Sequence, residues 1–173
     1  MDALTAAALR AGAGDDAALV TFVRLSQPDV WRLCAHLIGR AEADDLTQDV
    51  YLRAIPALPR FRGDSSARTW LLAIARRVAA DHIAKLQRHR RIEAAVEHAR
   101  PATETPDPGG RITLDMLVDS LTEDRRDAFV LTQALGLSYA EAAEVCGCEI
   151  GTIRSRVARA RAELIEQANS AVG

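Results

Sequence analysis

Residues 151–164 read GTIRSRVARARAEL, which places Arg154, Arg156, Arg159 and Arg161 within about two helical turns. Guanidinium groups at that density serve either carboxylates along a solvated helix or the phosphates and base edges of nucleic acid. At about 100° per residue, Ile150, Ile153, Val157, Ala160 and Leu164 make one apolar stripe that must be buried, with Thr152, Ser155, Arg156 and Arg159 opposite. The opposite face offers only short hydroxyls and arginines, the groups suited to phosphates and base edges. Arg154 and Arg161 flank the stripe, where their stems cover it. A salt-bridged surface helix, using Glu163 and Glu166, is the competing reading. No acid stands between Glu149 and Glu163, which favours DNA.

Two further clusters carry chemistry. Glu42, Asp44, Asp45 and Asp49 gather where a helix is expected to start, with a capping pattern from Asp45 to Gln48. Hard cations want oxygens converging from a loop, and no glycine-bearing ligand loop is present, so capping and a surface for a partner explain these acids better than a metal. The loop FRGDSSART, residues 61–69, is polar, small and glycine-containing, and Phe61 and Trp70 bracket it. Its backbone and hydroxyls could close around an extruded base while the rings stack, although a Trp at a helix start is more often core.

Catalysis finds no support. The four histidines, His36, His82, His89 and His98, are scattered, and there is no nucleophile with a base or glycine-rich phosphate loop. Cys34, Cys146 and Cys148 are an odd set without zinc spacing, and read as reduced, half-buried thiols. No metal or cofactor is expected. No apolar run approaches the roughly 20 residues that span a bilayer, and the start lacks the basic residues of a secretory signal, so a cytoplasmic protein is expected.

The positioning elements must be helices. Apolar residues make up 49% and aromatics only 4% of the 173 residues, and no stretch alternates like a strand. An all-α fold follows, as two small helical domains. Net charge is −2, yet charge is segregated, with acids at 42–49 and bases at Lys85, Arg88, Arg90, Arg91 and 154–161. ARPATETPDPGGR, residues 99–111, cannot continue a helix. The reading is therefore residues 1–95 as one domain, 96–111 as a flexible linker and 112–173 as a second.

Within the first domain, DVWRLCAHLIG buries Val30, Leu33, Cys34, Leu37 and Ile38 with Trp31 partly inside, and the next helix buries Leu46, Val50 and Ala54 before Pro56 and Pro59 end it. The longest helix buries Leu71, Ile74, Ala75 and Val78, turns Arg76, Arg77 and Ala80 outward and pairs Asp81 with Lys85. In the second domain Thr122 opens a helix, with Arg125 where a capping acid would stand, and Gly136 closes it. Ser138 and Glu141 form a capping box, Gly147 ends that helix, and the arginine helix follows. Helix, glycine turn, longer helix is the helix-turn-helix unit, whose second helix enters the major groove.

The string ADDLTQDVYLRAIPALPRFRGDSSARTWLLAIARRVAADHI resembles the second conserved region of bacterial extracytoplasmic function (ECF, group IV) RNA polymerase sigma factors. LTEDRRDAFVLTQALGLSYAEAAEVCGCEIGTIRSRVARARAEL resembles their fourth, and LTQDVYLRAI and GTIRSRVARAR are similar to the actinobacterial sigma-C type. The likeness covers nearly everything outside the first dozen residues, the linker and the last few. It implies that Asp44, Asp45, Leu46, Gln48, Asp49 and Arg53 contact the clamp helices of the polymerase largest subunit. It further implies that Phe61, Arg62, Ser65, Ser66, Arg68, Thr69, Trp70, Arg76, Arg77 and His82 recognise and melt the minus-ten element. Thr152, Arg154, Ser155, Arg156 and Arg159 would read the minus-thirty-five element. The implied partners are RNA polymerase core, including its flap, and promoter DNA, with an anti-sigma factor as a candidate and no membrane insertion. Glu149 and Ile150 stand where many relatives carry proline, and Arg77 where many carry asparagine, which leaves the preferred promoter sequence open. No domain is expected after Gly173. The alternative from another class is a helix-turn-helix regulator that binds an operator without polymerase.

Overall fold

The computed structural model describes residues 1–96 and 114–172, and helices account for all of the regular structure in them. The expected linker lies outside the described residues beyond Val96. Helices α1 (Ala3–Gly12) and α2 (Asp16–Ile38) each start on an aspartate, whose carboxylate accepts an N–H three residues on: Thr5 donates to Asp2 and Ala18 to Asp15, both at 2.9 Å. Helix α1 is a finding of the structure alone. Helix α2 opens well before the expected start at Asp29 and runs through Pro28. Phe22, Ser26, Val30, Leu33 and Leu37 make one buried stripe on both sides of the proline, and that burial offsets the lost N–H. The Ser26 hydroxyl lies 2.7 Å from the Phe22 carbonyl, to which it donates, and 2.7 Å from the Tyr51 hydroxyl.

Helix α3 (Ala43–Ala54) also begins earlier than expected, with Glu42 as an N-cap that makes no side-chain bond. Asp44 and Asp45 therefore sit in its first turn, at the positive end of the helix dipole. A 3-10 turn carries Pro56 and Pro59 through Ile55–Arg60 and leads to the loop before α4 (Ala67–Val96). Leu71, Leu72, Ala75, Val78 and Ala79 of α4 are buried against α2 and α3. Asp81 pairs with Arg53 of α3 at 2.7 Å, in place of the expected partner Lys85.

The second half comprises α5 (Leu114–Asp119), α6 (Glu123–Phe129), a π-turn at Val130–Ala134, α7 (Tyr139–Cys146) and α8 (Ile150–Val172). Thr122 is the N-cap of α6 without a side-chain bond, and Arg125 instead reaches Glu163 of α8 at 2.6 Å. The capping box is formed: the Glu141 N–H donates to Ser138 Oγ at 3.2 Å and the Ser138 N–H to Glu141 Oε2 at 2.8 Å. Gly147 ends α7 in the left-handed region at φ 65°, where a Cβ would be strained. Ile153, Val157, Ala160 and Leu164 are buried as expected, whereas Ile150, the first residue of α8, is 42% exposed and lies beyond the packed stretch.

The two halves touch. Helix α4 packs against α7, and α2 against α5 and the π-turn.

Candidate polymerase and promoter interfaces

Helix α3 divides into a buried and a solvent face. Leu46, Val50 and Ala54 are in the core, while Asp44, Asp45, Gln48, Asp49 and Arg53 are exposed. Leu46, expected at the partner surface, is only 2% exposed and belongs to the packing. The residue missed on the outer face is Leu52, 73% exposed. Positions 45, 48, 49 and 52 follow the i, i+3, i+4, i+7 pattern, so extending the acidic face by one turn would have found it. Ile55, also exposed, adjoins it in sequence. An apolar side chain rimmed by charge is the composition of a binding hot spot. Two of the charges are already oriented: Trp31 Nε1 donates to Asp44 Oδ1 at 2.7 Å, and Arg53 holds Asp81.

The loop at 61–66 brings Phe61 and Trp70 together, with ring centroids 5.0 Å apart and planes tilted by 39°. Both rings are half-buried, Arg62 is exposed beside Asp64 at 3.3 Å, and Ser65 and Ser66 are half-buried. Thr69 is buried, and its hydroxyl lies 2.8 Å from that of Ser66. Of the three candidate residues further along α4, Arg77 is exposed. His82 is 2.6 Å from Glu42, and Arg76, expected to face outward, is half-buried.

Arg76 turns inward because the second half supplies acids. Its Nε donates to Asp127 of α6, and Asp124 lies 3.9 Å from its Nη2. The Asp127 side chain is 3% exposed, and burial pushes its carboxyl above the ordinary range while Arg76 pulls the other way. Arg68 is similarly held between Asp29 Oδ2 at 2.6 Å and the Leu135 carbonyl of the second half at 2.7 Å.

On α8, Arg154, Ser155 and Arg159 are exposed and Thr152 is half-buried. Arg156 is half-buried because Asp124 accepts from its Nη2 at 2.6 Å and Cys148 Sγ lies 3.7 Å from Nη1. The acids of α6 thus hold one arginine from each of the two candidate DNA faces. TEDRRDAF carries no sign of this, because its targets lie on helices distant in sequence. Arg161 donates to Gln133 at 2.7 Å, in line with a flanking role.

Among the described residues no three His, Cys, Asp or Glu side chains are grouped to hold a metal, and no helix is long and apolar enough to cross a membrane. The residues that converge are arginines, hydroxyls and rings, groups suited to phosphates and bases.

The family model for sigma-70 region 2 matches residues 22–89, and that for sigma-70 region 4 matches residues 111–164. The ECF RNA polymerase sigma factor SigC of Mycobacterium tuberculosis is 50% identical over 96% of this chain and 92% of its own length. The chain belongs to the ECF sigma factors. This sigma factor shares its fold with CnrH, solved with the cytosolic domain of CnrY, at a TM-score of 0.76 and 26% identity over 98% of this chain and 99% of that one. A second solved relative is the sigma factor RpoE in complex with the anti-sigma factor NepR from Bartonella quintana, at a TM-score of 0.72 and 30% identity over 87% and 96%. As a sigma factor it binds RNA polymerase and directs it to promoters. The operator-binding alternative leaves region 2 unexplained and is set aside. The family is one of initiation factors, not of enzymes.

Proposed function

We propose that residues 1–95 hold the polymerase and the minus-ten element, and residues 112–173 the minus-thirty-five element, the two joined through 96–111. The outer face of α3, with Asp44, Asp45, Gln48, Asp49, Leu52 and Arg53, docks on the clamp helices of the largest subunit. Phe61, Arg62, Ser65, Ser66 and Trp70 receive unpaired bases of the minus-ten strand, and Arg68, Arg76, Arg77 and His82 follow its backbone. Thr152, Arg154, Ser155, Arg156 and Arg159 enter the major groove at the upstream element. The observation that carries this is the separation of faces: acids around an exposed leucine on α3, and arginines with hydroxyls on α4 and α8.

The mechanism is differential binding. Polymerase holds both halves at a fixed spacing, so two weak DNA contacts act as one through effective concentration. Strand opening is favoured because the loop binds bases that the duplex does not offer, at a cost of a few kcal/mol per unstacked base that pocket contacts offset. Phosphates replace the protein acceptors that now hold Arg68, Arg76 and Arg156, a like-for-like exchange of charge-assisted bonds. An anti-sigma factor, as in the complex of RpoE with NepR, is proposed as a partner that restrains this exchange. The site of action is the cytoplasm, where the polymerase works.

Run-off transcription with purified core polymerase on a promoter library tests the assignment. Arg156→Ala is expected to keep core binding and lose discrimination at the upstream element, and Asp45→Arg to lose core binding first. If both variants retain both activities, the assignment is wrong.

A further inference from the structure

Helix α1 lies outside the residues matched by the region 2 model, yet it touches the 61–66 loop at its entry, middle and exit. At the entry, a Cβ on Gly12 would meet the Leu58 carbonyl oxygen at 2.5 Å, so only glycine lets α1 come this close. That same oxygen accepts the Phe61 N–H at 3.0 Å, the bond from which the loop departs. In the middle, Gly63 takes φ 76° directly over Leu9, whose methyls lie 3.6 and 3.7 Å from where a Cβ would sit. At the exit, the Ala67 N–H, an orphan donor in the first turn of α4, donates to Thr5 Oγ1 at 2.9 Å.

The Thr5 bond has a fixed polarity. Thr5 has one hydroxyl proton and gives it to Asp2 Oδ2 at 2.6 Å, so its oxygen faces Ala67 only as an acceptor. The Asp2 carboxyl is held below its usual range by the Thr5 hydroxyl and N–H, which keeps that acceptor charged. The relay from Ala67 through Thr5 to Asp2 is buried at Thr5 and Ala67 and reaches the surface at Asp2.

We propose that α1 is a brace that sets the shape of the promoter-melting loop, and that Thr5 is a positioning residue for strand opening. Thr5 touches no DNA. It fixes the first residue of α4 and hence the angle at which Ser65, Ser66 and Trp70 meet the strand. The inference rests on the assignment of the 61–66 loop to the unpaired minus-ten strand.

The test uses reconstituted holoenzyme and two templates with the same promoter, one fully duplex and one with a mismatched, pre-opened minus-ten segment. Thr5→Val, which keeps shape and removes the hydroxyl, is expected to slow open-complex formation on the duplex by about tenfold, the scale of one buried donor left unpaired. Transcription from the pre-opened template at saturating holoenzyme and affinity for core should stay within about twofold, since the mismatch removes the cost of opening and core is met by α3 rather than by the loop. Thr5→Ser should restore the duplex rate, and Leu9→Ala, which leaves every hydrogen bond in place, should show a smaller loss confined to the duplex. If Phe61→Ala slows opening on the duplex while Thr5→Val does not, the brace is refuted and the loop assignment stands. If neither variant slows opening, the loop assignment falls and the brace with it. If Thr5→Val lowers core affinity and both templates alike, Thr5 is merely structural and the proposal is overturned.

Discussion

Arg76 of α4 and Asp127 of α6 form an ion pair that joins the two halves of the molecule, with an aspartate side chain only 3% exposed. Asp124 extends the pair to Arg156 of α8, so one short helix neutralises arginines that the proposed function assigns to two different promoter elements. The hydrogen bonds that Arg76 and Arg156 give to Asp127 and Asp124 are not available to phosphate in this arrangement.

Breaking this pair from either side should have unequal effects. Arg76→Ala strands a buried carboxylate and should lower unfolding free energy by about 3 kcal/mol in urea titrations. Asp127→Asn keeps a neutral acceptor and should cost about 1 kcal/mol. Burial already raises the Asp127 carboxyl, and without Arg76 it rises further. A raised carboxyl gives stability that is lost as pH increases through its folded value, so the Arg76→Ala variant should be more stable at pH 5 than at pH 8.

The thiols predict an alkaline limit. Burial pushes Cys34 up to about 11 and Cys146 up to about 12 from an ordinary 9.0. Above pH 9 the unfolded chain loses these protons first, so stability should fall with pH by up to about 1.4 kcal/mol per unit for each thiol. Cys34→Ala and Cys146→Ala should each flatten the slope measured by thermal unfolding between pH 9 and 11.

Cys146 also reports on separation of the halves, because the charge of Arg76 on α4 reaches it across the junction. Its alkylation by iodoacetamide should be slow in the free protein and several-fold faster once core polymerase and promoter are bound.

Leu52 and Leu46 separate binding from folding on one helix. Leu52 is 73% exposed and Leu46 2%. Leu52→Ala should weaken binding to core by about 2 kcal/mol, the scale of burying a leucine side chain, with no change in melting temperature. Leu46→Ala should instead cost about 3 kcal/mol of stability by opening a cavity.

The sequence made the local structure legible wherever neighbours in the chain decide it. The Ser138–Glu141 capping box, the Gly147 stop and the buried stripe Ile153, Val157, Ala160 and Leu164 all stand in the structure. Helix α2 opens before the expected Asp29 because a continuous buried stripe carries it through Pro28. Arg76 misled because helical periodicity places a residue on a face without saying what packs on that face. Helix α1 escaped notice although its cap, Asp2, and its short apolar run are ordinary, since its partners Leu58, Gly63 and Ala67 lie far along the chain. The candidate site was legible as residue types, and Leu52 follows from continuing the acidic face by one turn; Asp124 and Asp127 required the tertiary contacts.

Where α3 meets the polymerase decides the proposed function. A photo-crosslinking residue in place of Leu52, in holoenzyme that is active in run-off transcription, should label the largest subunit at its clamp helices. The yield should fall when Asp45→Arg is added. An active holoenzyme in which position 52 labels no polymerase subunit, or labels only promoter DNA, would contradict it.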